Sequence, residues 1–131
     1  MERKWLLAGV AFLASGIAFG AFGAHGLKNV ISDPDKLLSF ETGVRYQLIH
    51  GVAFLALGSM ANRFTAMNLA VYRLLVFGVI LFSFSIYALV LASIGGDSVL
   101  SKILGPITPI GGLLLIIGWL MLFVRLWKSK A

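Results

Sequence analysis

The sequence lacks cysteine altogether and is poor in charged residues, and each shortage excludes a class of function. Without cysteine the chain can form no disulfide, no thiolate metal site and no covalent intermediate on a thiolate. Charged residues make up only 12% of the chain. They stand in clusters between long uncharged intervals instead of being scattered as on a water-exposed surface. The uncharged intervals are therefore candidate membrane-spanning helices.

Recognisable catalytic signatures are missing as well. The chain has no Walker loop, no dinucleotide-binding glycine fingerprint, no His-Glu-x-x-His zinc motif and no Gly-x-Ser-x-Gly nucleophile elbow. Its 2 histidines have no assured shared face, so they are a weak signal for a metal site. We predict a protein that is not an enzyme and that uses no cofactor.

Apolar side chains are what the chain has in abundance. Hydrophobic residues make up 60% of it, above the roughly 45–50% of soluble domains, and the mean hydropathy is +0.98. The formal net charge is +6, but the basic residues responsible flank the apolar intervals. They suit anionic lipid headgroups better than nucleic acid. Membrane lipids are therefore the expected partners, and nucleic acid is not.

The uncharged intervals are long enough to cross a membrane, which takes about 20 apolar residues. They predict helices at about 5–27, 34–61, 74–96 and 103–127 in a single transmembrane domain, 1–131. The predicted fold class is an all-α integral membrane protein, an antiparallel bundle of four transmembrane helices. The first interval also resembles a signal peptide, but it exceeds the roughly 7–15 residues of a signal-peptide core. We therefore predict a retained helix.

Local signals mark where these helices begin. Ser32 or Asp33 can cap the second helix, and Pro34 is tolerated in its first turn. The stretch from there to Arg45 is amphipathic and predicts an interfacial segment that leads into the second transmembrane helix. The prolines of Gly105–Pro109 suit the entrance of the fourth helix better than its interior.

The distribution of basic residues predicts the orientation, because lysine and arginine near helix ends tend to stay in the cytoplasm. With both termini inside, the cytoplasmic side holds Arg3, Lys4, Arg63, Arg73, Arg125, Lys128 and Lys130, whereas the outer side holds Lys28, Lys36, Arg45 and Lys102. Asp97 and Lys102 mark the turn between the third and fourth helices. We therefore predict a multi-pass protein of the bacterial inner (plasma) membrane with cytoplasmic N- and C-termini. Trp5 and Trp127 would lie at the inner interface.

The first helix carries a stripe of small residues. Gly9, Gly16, Gly20 and Gly23 fall within about 60° of one another at 100° per residue. Glycines let helices approach closely in lipid, where no hydrophobic force drives them together. Two alternatives remain open, namely packing against another helix of the same chain and a contact between copies in a homo-oligomer. Alanines line much of the opposite side, at Ala11, Ala14, Ala18 and Ala21.

The second helix has two polar sectors. Gly43, Tyr46, Gln47, His50, Gly51 and Gly58 share one face. Glu41 and Arg45 stand roughly opposite, at the i and i+4 spacing of a helical ion pair. This pair either lies at the membrane interface with the arginine extended outward, or Arg45 positions a polar site inside the bundle or against another protomer.

Several polar residues are expected in the outer half of the membrane. His50 lies roughly 18 Å from the inner end of the second helix and Tyr87 roughly 20 Å along the third, at 1.5 Å per residue. His25 stands near the outer end of the first helix. Intramembrane ionisable groups are costly and usually face a bundle interior or an aqueous cavity. This layer is either a hydrogen-bond network satisfied by its own side chains, a site that handles a proton or ligand, or, least favoured, a metal or haem site.

Three segments resemble the bacterial domain-of-unknown-function 423 family, which is also similar to human transmembrane protein 256. They are Gly20–Leu27 (GAFGAHGL), Phe40–Gly51 (FETGVRYQLIHG) and Gly105–Gly112 (GPITPIGG). The resemblance implies a small four-helix inner-membrane protein whose characteristic polar positions are His25, Glu41, Arg45, Tyr46, Gln47 and His50. The chain departs from the family pattern at Ser83-Phe84-Ser85, where a glycine usually separates the serines, and this puts close packing there in question.

These observations favour a non-enzymatic membrane protein that self-associates and supports membrane integrity through helix packing and contacts with lipids or partner proteins. Its expected partners are membrane lipids, further copies of itself and other membrane proteins. The alternative is a small proton-coupled carrier or channel that uses the outer histidine, arginine and tyrosine cluster, since histidine titrates near neutral pH. A third class, an enzyme or haem protein, predicts a bound metal or chromophore.

Overall fold

The computed structural model describes residues 1–63, 68–96 and 98–129, and the secondary structure of these residues is helical. Asp97 and Lys130, which entered the predicted turn and the charge distribution, lie outside the described residues. The helices in chain order are α1 (Glu2–Ala24), α2 (Pro34–Met60), α3 (Leu69–Val79), α4 (Ser85–Ile94), α5 (Ser98–Leu104) and α6 (Ile107–Lys128). A 3₁₀ turn, Leu27–Asn29, follows α1, and a π-helical segment, Ile80–Phe84, joins α3 to α4.

These elements form four long rods. Two of the rods are α1 and α2. The third, Leu69–Ile94, consists of α3, the π segment and α4. The fourth, Ser98–Lys128, consists of α5 and α6, with a break at Gly105 and Pro106 where the proline supplies no backbone N–H.

Side-chain caps explain where two of the rods begin. Asp33 accepts a hydrogen bond from the backbone N–H of Asp35 at 3.0 Å at the start of α2, where Pro34 occupies the first turn. Asn68 accepts from the N–H of Val71 at 3.1 Å and begins α3. Gly96 follows α4 with φ of +69°, a left-handed conformation that favours glycine at the end of a helix.

The helix bounds differ from the predicted intervals at several ends. Three of the helical stretches begin earlier than predicted. They begin at Glu2, Leu69 and Ser98, whereas the predicted intervals 5–27, 74–96 and 103–127 begin three to five residues later. Charged residues can stand in the terminal turns of a helix, with their charged groups extended toward water. An uncharged interval therefore measures the stretch suited to hydrocarbon and not the full length of the helix.

The rods pack as two antiparallel pairs. The most extensive contacts join α1 to α2 and α3 to α6. Asn62, just beyond α2, donates a hydrogen bond to Glu2 Oε2 at 2.6 Å, so the end of α2 lies beside the start of α1. We call this end of the bundle the termini end. The opposite end, where α1 leads to α2 and α4 leads to α5, we call the loop end.

Glycines allow the α3 and α6 backbones to approach each other. A methyl group at Gly78 would lie 2.7 Å from Leu115 Cδ2, and one at Gly118 would lie 2.7 Å from Leu75 Cδ2. Each leucine therefore fills the space left by a glycine on the facing helix. Such close approach maximises van der Waals contact, which is the main attraction between helices in lipid.

Two apolar clusters form the core. The cluster nearer the termini end contains Trp5, Phe12, Phe54, Leu57, Val71, Leu75, Val79, Leu115 and Leu122. The cluster nearer the loop end contains Leu27, Ile31, Phe40, Val44, Ile86, Tyr87 and Val90. The second helix and the third rod, which contribute to both clusters, also carry four buried polar residues, namely Gln47, His50, Ser83 and Ser85.

The two tryptophans expected at the inner interface have different environments. Trp5 is fully buried, with its ring centroid 5.2 Å from those of both Phe54 and Tyr72, whereas Trp127 is 81% exposed. Trp5 is therefore enclosed by the bundle, and its depth at the inner interface stays a prediction. Its indole packs between helices because neighbouring aromatic rings from α2 and α3 enclose it.

Three stretches of the described residues are long and apolar enough to cross a membrane, namely Glu2–Asn29, Leu69–Ile94 and Ser98–Lys128. Among these residues α2 does not meet the same criterion, since Arg45, Gln47 and His50 interrupt its apolar sequence. Many large apolar side chains elsewhere face outward instead of into the core. The all-helical fold is therefore that of a membrane protein.

Candidate functional site

Gln47 is the centre of a polar network inside the bundle. It lies on α2, is fully buried, and its Nε2 donates to the Phe12 carbonyl oxygen at 3.0 Å and to Ser15 Oγ at 2.7 Å. Its Oε1 accepts a hydrogen bond from Tyr87 Oη at 2.8 Å. Ser15 in turn donates to the Ala11 carbonyl oxygen at 2.6 Å. One side-chain amide therefore connects α1, α2 and α4, and both of its N–H donors are used.

Ser83 provides a second link between α2 and the third rod. Its Oγ, in the π segment, donates to the Gly43 carbonyl oxygen at 2.8 Å. A methyl group at Gly43 would lie 2.8 Å from Tyr87 Cε1, so glycine is needed for the tyrosine to pack against α2. The π segment, the buried tyrosine and the α2 glycine thus form one closely packed contact.

The Ser83-Phe84-Ser85 segment also shows how the departure from the family pattern is accommodated. Phe84 packs against the rings of Phe19 and Tyr87, with centroid distances of 5.7 and 5.5 Å. Ser85 Oγ lies 2.6 Å from Thr108 Oγ1 on α6 and donates to the Phe82 carbonyl oxygen at 3.0 Å. Close packing is therefore retained at this point, with the phenylalanine directed toward α1.

His50 uses both of its ring nitrogens, one within α2 and the other in a contact with α6. Its Nδ1 lies 2.7 Å from the Tyr46 carbonyl oxygen, and its Nε2 accepts a hydrogen bond from Trp119 Nε1 at 3.0 Å. A carbonyl oxygen can only accept and an indole N–H can only donate, so the geometry assigns the ring proton to Nδ1. The neutral imidazole has no free nitrogen for a metal ion or a transported proton in this arrangement.

The predicted polar cluster divides into two groups. Gln47, His50 and Tyr87 are buried, at 0, 6 and 3% exposure. By contrast, His25, Glu41, Arg45 and Tyr46 are exposed. His25 stands at the C-terminal end of α1, in a different part of the fold from His50.

Glu41 and Arg45 form the predicted ion pair on the outside of the bundle. Arg45 Nη2 lies 3.2 Å from Glu41 Oε1, and the side chains are 58 and 64% exposed for Arg45 and Glu41. The contact agrees with the interfacial alternative and not with an arginine enclosed inside one protomer. Tyr46 is 44% exposed and packs its ring against Phe82, with a centroid distance of 4.9 Å.

All four glycines of the predicted stripe face α2. A methyl group added to any of them would come close to an α2 side chain. The distance would be 2.9 Å at Gly9, 2.7 Å at Gly16 and 2.8 Å at Gly23. At Gly20 it would be 3.3 Å, to Val44 Cγ1. The Gly9 methyl would also lie 2.9 Å from a backbone oxygen of α2. In this structure the stripe is therefore used within one chain, while Ala11, Ala14, Ala18 and Ala21 remain exposed.

Sequence reasoning missed three members of the network, namely Ser15, Ser85 and Trp119. The position of Trp119 in the sequence was a usable signal. Tryptophan is favoured at membrane interfaces, so a tryptophan in the middle of a membrane helix is unusual, and its indole N–H needs a hydrogen-bond partner. Trp119 lies well inside α6. The serines gave a weaker signal, because a serine in a helix often bonds its own backbone.

The network offers no evident ligand set for a metal. In residues 1–63, 68–96 and 98–129, no group of three or more histidine, aspartate or glutamate side chains is suitably arranged to hold a metal ion. His50 is engaged at both nitrogens and His25 is distant in the fold. The buried groups therefore act chemically as interhelical hydrogen-bond partners.

Comparison with known proteins identifies a family and relatives that are named membrane proteins. The family described as "Protein of unknown function (DUF423)" matches residues 19–112. A UPF0382 membrane protein of Staphylococcus aureus is 42% identical over 127 residues, covering 96% of this chain and 97% of the relative. A UPF0382 membrane protein of Staphylococcus saprophyticus is 41% identical over 128 residues, covering 96 and 98%. No solved structure matches the chain.

Proposed function

The chain belongs to the DUF423 family, with relatives that are named membrane proteins, and from its closed interior we propose a structural role for it. The proposed protein is non-enzymatic, crosses the membrane several times, self-associates, and supports membrane integrity through helix packing and contacts with lipids or partner proteins.

The filled polar layer is the observation that carries this proposal. The donors of Gln47 are bonded to α1, its acceptor is bonded to Tyr87, and His50 is bonded at both nitrogens. A catalytic or transport site needs polar groups that are available to a substrate. Here the same groups hold four rods together, which is the chemistry of a structural network.

We propose that α2 is the fourth membrane crossing. It has 27 residues, or a length of about 40 Å at 1.5 Å per residue, and packs antiparallel along α1. Gln47 and His50 lower its hydropathy but are buried with their polar atoms bonded, while Ile49 and Val52 face outward. Lipid would therefore contact a more apolar surface than the α2 sequence suggests. The first turns of α2, which carry the exposed Glu41–Arg45 pair, would form the interfacial amphipathic segment.

The proposed location is the bacterial plasma membrane with both termini in the cytoplasm. The support is the distribution of lysine and arginine between the two ends of the bundle. In this orientation the loop end faces outward.

The exposed alanines of α1 are the proposed surface for self-association. Ala11, Ala14, Ala18 and Ala21 recur at the i, i+3, i+7 spacing of one helix face and are exposed. Small side chains allow close approach of helices from different copies. The glycine stripe is unsuited to this contact, since α2 already covers it.

Deletion of the protein from a bacterium that carries it should increase uptake of an impermeant dye severalfold and reduce membrane polarisation. Wild-type protein should restore both. Ala18→Leu should not restore them and should reduce crosslinking between copies, because the larger side chain holds helices apart. Ile17→Leu, a change of equal volume at a neighbouring exposed position, serves as the control. A monomeric protein whose deletion alters neither permeability nor polarisation would contradict the proposal.

Proton flux distinguishes the structural role from the carrier alternative. Because both ring nitrogens of His50 are engaged, the structural role predicts that vesicles with the purified protein show no more proton flux than protein-free vesicles. His50→Ala should leave this background unchanged. Flux measured with a pH-sensitive dye trapped in the vesicles tests the expectation. A protein-dependent flux that falls in His50→Ala would favour the carrier over the structural role.

A further inference from the structure

A groove at the loop end adjoins the polar network at Thr108, whose hydroxyl contacts Ser85, and has a distinct chemistry. It has a volume of about 540 Å³ and runs between α2, α4 and the α5–α6 rod. This volume falls within the range of roughly 300–1,000 Å³ that is usual for small-molecule sites. The α5–α6 rod lines one side of it with Ser101, Gly105 and Thr108, and α2 and α4 form the other two walls.

The α2 wall presents one cation and two hydroxyl oxygens. Lys36, Ser39 and Thr42 line it at intervals of three residues, so they follow one side of the helix. Ser39 Oγ donates to the Asp35 carbonyl oxygen at 2.8 Å, and Thr42 Oγ1 donates to the Leu38 carbonyl oxygen at 2.9 Å. The hydroxyl hydrogens are thus engaged, and the oxygen lone pairs can accept from a ligand.

The α4 wall is apolar toward the membrane centre and polar toward the loop end. Ile86, Leu89 and Val90 line the inner part. Ser93, one turn nearer the loop end, lines the same groove and donates to the Val90 carbonyl oxygen at 2.6 Å. Its oxygen is therefore also disposed to accept. Lys36, Ser39 and Ser93 thus place a cation and hydrogen-bond acceptors near the mouth of the groove. Its inner part is apolar along α4, with the Thr42 and Thr108 hydroxyls beside this apolar surface.

This arrangement fits an amphiphile with a phosphate, hydrogen-bond donors beside it and an acyl chain. We propose that the groove binds one anionic phospholipid with a glycerol headgroup, the chemistry of phosphatidylglycerol. The phosphate pairs with Lys36, the headgroup hydroxyls donate to Ser39 and Ser93, and an acyl chain packs on Leu89 and Val90. The inference deepens the proposed function, because it rests on the lipid contacts that the structural role includes.

Charge distinguishes this groove from a second one at the same end. The second groove, between α1 and α2, is lined by Lys28 together with Glu41. The Glu41 carboxylate is paired with Arg45 at 3.2 Å, which offsets part of its repulsion of a phosphate. Among the described residues, the lining of the groove at Lys36 includes no acidic residue, so that groove is the better match for the anionic headgroup. Lys28 therefore supplies a matched control, since it is also a loop-end lysine on the rim of a groove.

Native mass spectrometry of the purified full chain in a non-ionic detergent, with added phospholipid, tests the proposal. Phosphatidylglycerol should bind about tenfold more tightly than phosphatidylcholine of the same chain length, whose headgroup is zwitterionic and has no donor. Lys36→Gln should weaken phosphatidylglycerol binding about tenfold. Lys36→Arg should retain binding, and Lys28→Gln should leave it unchanged. Circular dichroism of each variant checks that the helices are intact.

The soluble headgroup separates a lipid site from a simple phosphate site. Glycerophosphoglycerol keeps the phosphate and the headgroup hydroxyls but has free hydroxyls in place of the acyl esters, so it should fail to displace the lipid at equal concentration. Effective displacement would overturn the commitment to a lipid. Equal affinity for the two phospholipids, or equal loss in Lys36→Gln and Lys28→Gln, would overturn the groove itself. Because binding is measured on purified protein, these failures are distinguishable from a deletion that leaves membrane integrity unchanged.

Discussion

Replacing Gly111 by alanine is expected to destabilise the bundle by about 3 kcal/mol or more, the upper part of the range for overpacking a closely packed site. Gly111 lies on α6 against the π segment. A methyl group there would lie 2.7 Å from the carbonyl carbon of Leu81 and 2.8 Å from Phe82 Cα, and it would also collide with the Phe82 backbone nitrogen. All three atoms belong to backbone, so no side-chain rotation can relieve the overlap.

Gly112 provides a control one residue away. A methyl group at Gly112 would lie 3.6 and 3.7 Å from ring carbons of Phe82, which is ordinary van der Waals contact. Gly112→Ala changes helix propensity in the same way as Gly111→Ala. The two variants therefore differ mainly in the collision with the π segment.

Unfolding of both variants in mixed detergent micelles, followed by circular dichroism and tryptophan fluorescence, measures the difference. Gly111→Ala should unfold at a much lower fraction of denaturing detergent than the wild type, and Gly112→Ala at a fraction close to it. Equal stability of the two variants would show that α6 does not contact the π segment as described.

The second large effect is expected at Gln47. Gln47→Leu should lower the free energy of unfolding by about 2 kcal/mol, because it leaves the buried Tyr87 hydroxyl without its acceptor and removes a second donor from the Phe12 carbonyl. Interhelical hydrogen bonds in membranes typically contribute about 0.6 kcal/mol each, with a maximum near 1.7. The rest of the loss comes from buried polar groups that the variant leaves unsatisfied.

A double-mutant cycle isolates the contact between Gln47 and Tyr87. Tyr87→Phe removes only the hydroxyl and keeps the ring packed against Phe19 and Phe40. If the 2.8 Å hydrogen bond stabilises the bundle, the double variant should be less destabilised than the sum of the single variants, by about 0.5–1.5 kcal/mol. Strict additivity in the detergent-unfolding assay would mean that the two side chains do not interact.

The family and the lipid environment could be predicted from the sequence. The motifs Gly20–Leu27, Phe40–Gly51 and Gly105–Gly112 predicted membership of the domain-of-unknown-function 423 family, and the family match over residues 19–112 confirms it. Hydropathy predicted a helical membrane protein, which is confirmed by the apolar helices and by relatives named membrane proteins. The α2 crossing stays a prediction, since its polar residues keep it below the hydropathy of the other rods.

The candidate site was predictable only in part. Helical periodicity grouped Gln47 and His50 on one face of α2, and depth along the helices grouped Tyr87 with them. Depth also placed His25 with them, and periodicity added Tyr46. The family resemblance added Glu41 and Arg45, which periodicity placed on the opposite side of α2. All four of these side chains are exposed. Depth in the membrane is one coordinate, and two residues at one depth can face opposite sides of a bundle.

Hydropathy, charge and helix caps act over a few neighbouring residues, so the amino-acid sequence was enough to predict a helical membrane protein. Which polar groups meet depends on the packing of distant segments. His50 bonds Trp119, 69 residues later, and Gln47 bonds Tyr87, 40 residues later. Periodicity defines the faces of a single helix, but the rotation and pairing of helices depend on how glycines such as Gly111 let particular backbones come together. Because of that pairing, Gln47 and His50 form an internal hydrogen-bond network, while Glu41, Arg45 and Tyr46 stay exposed.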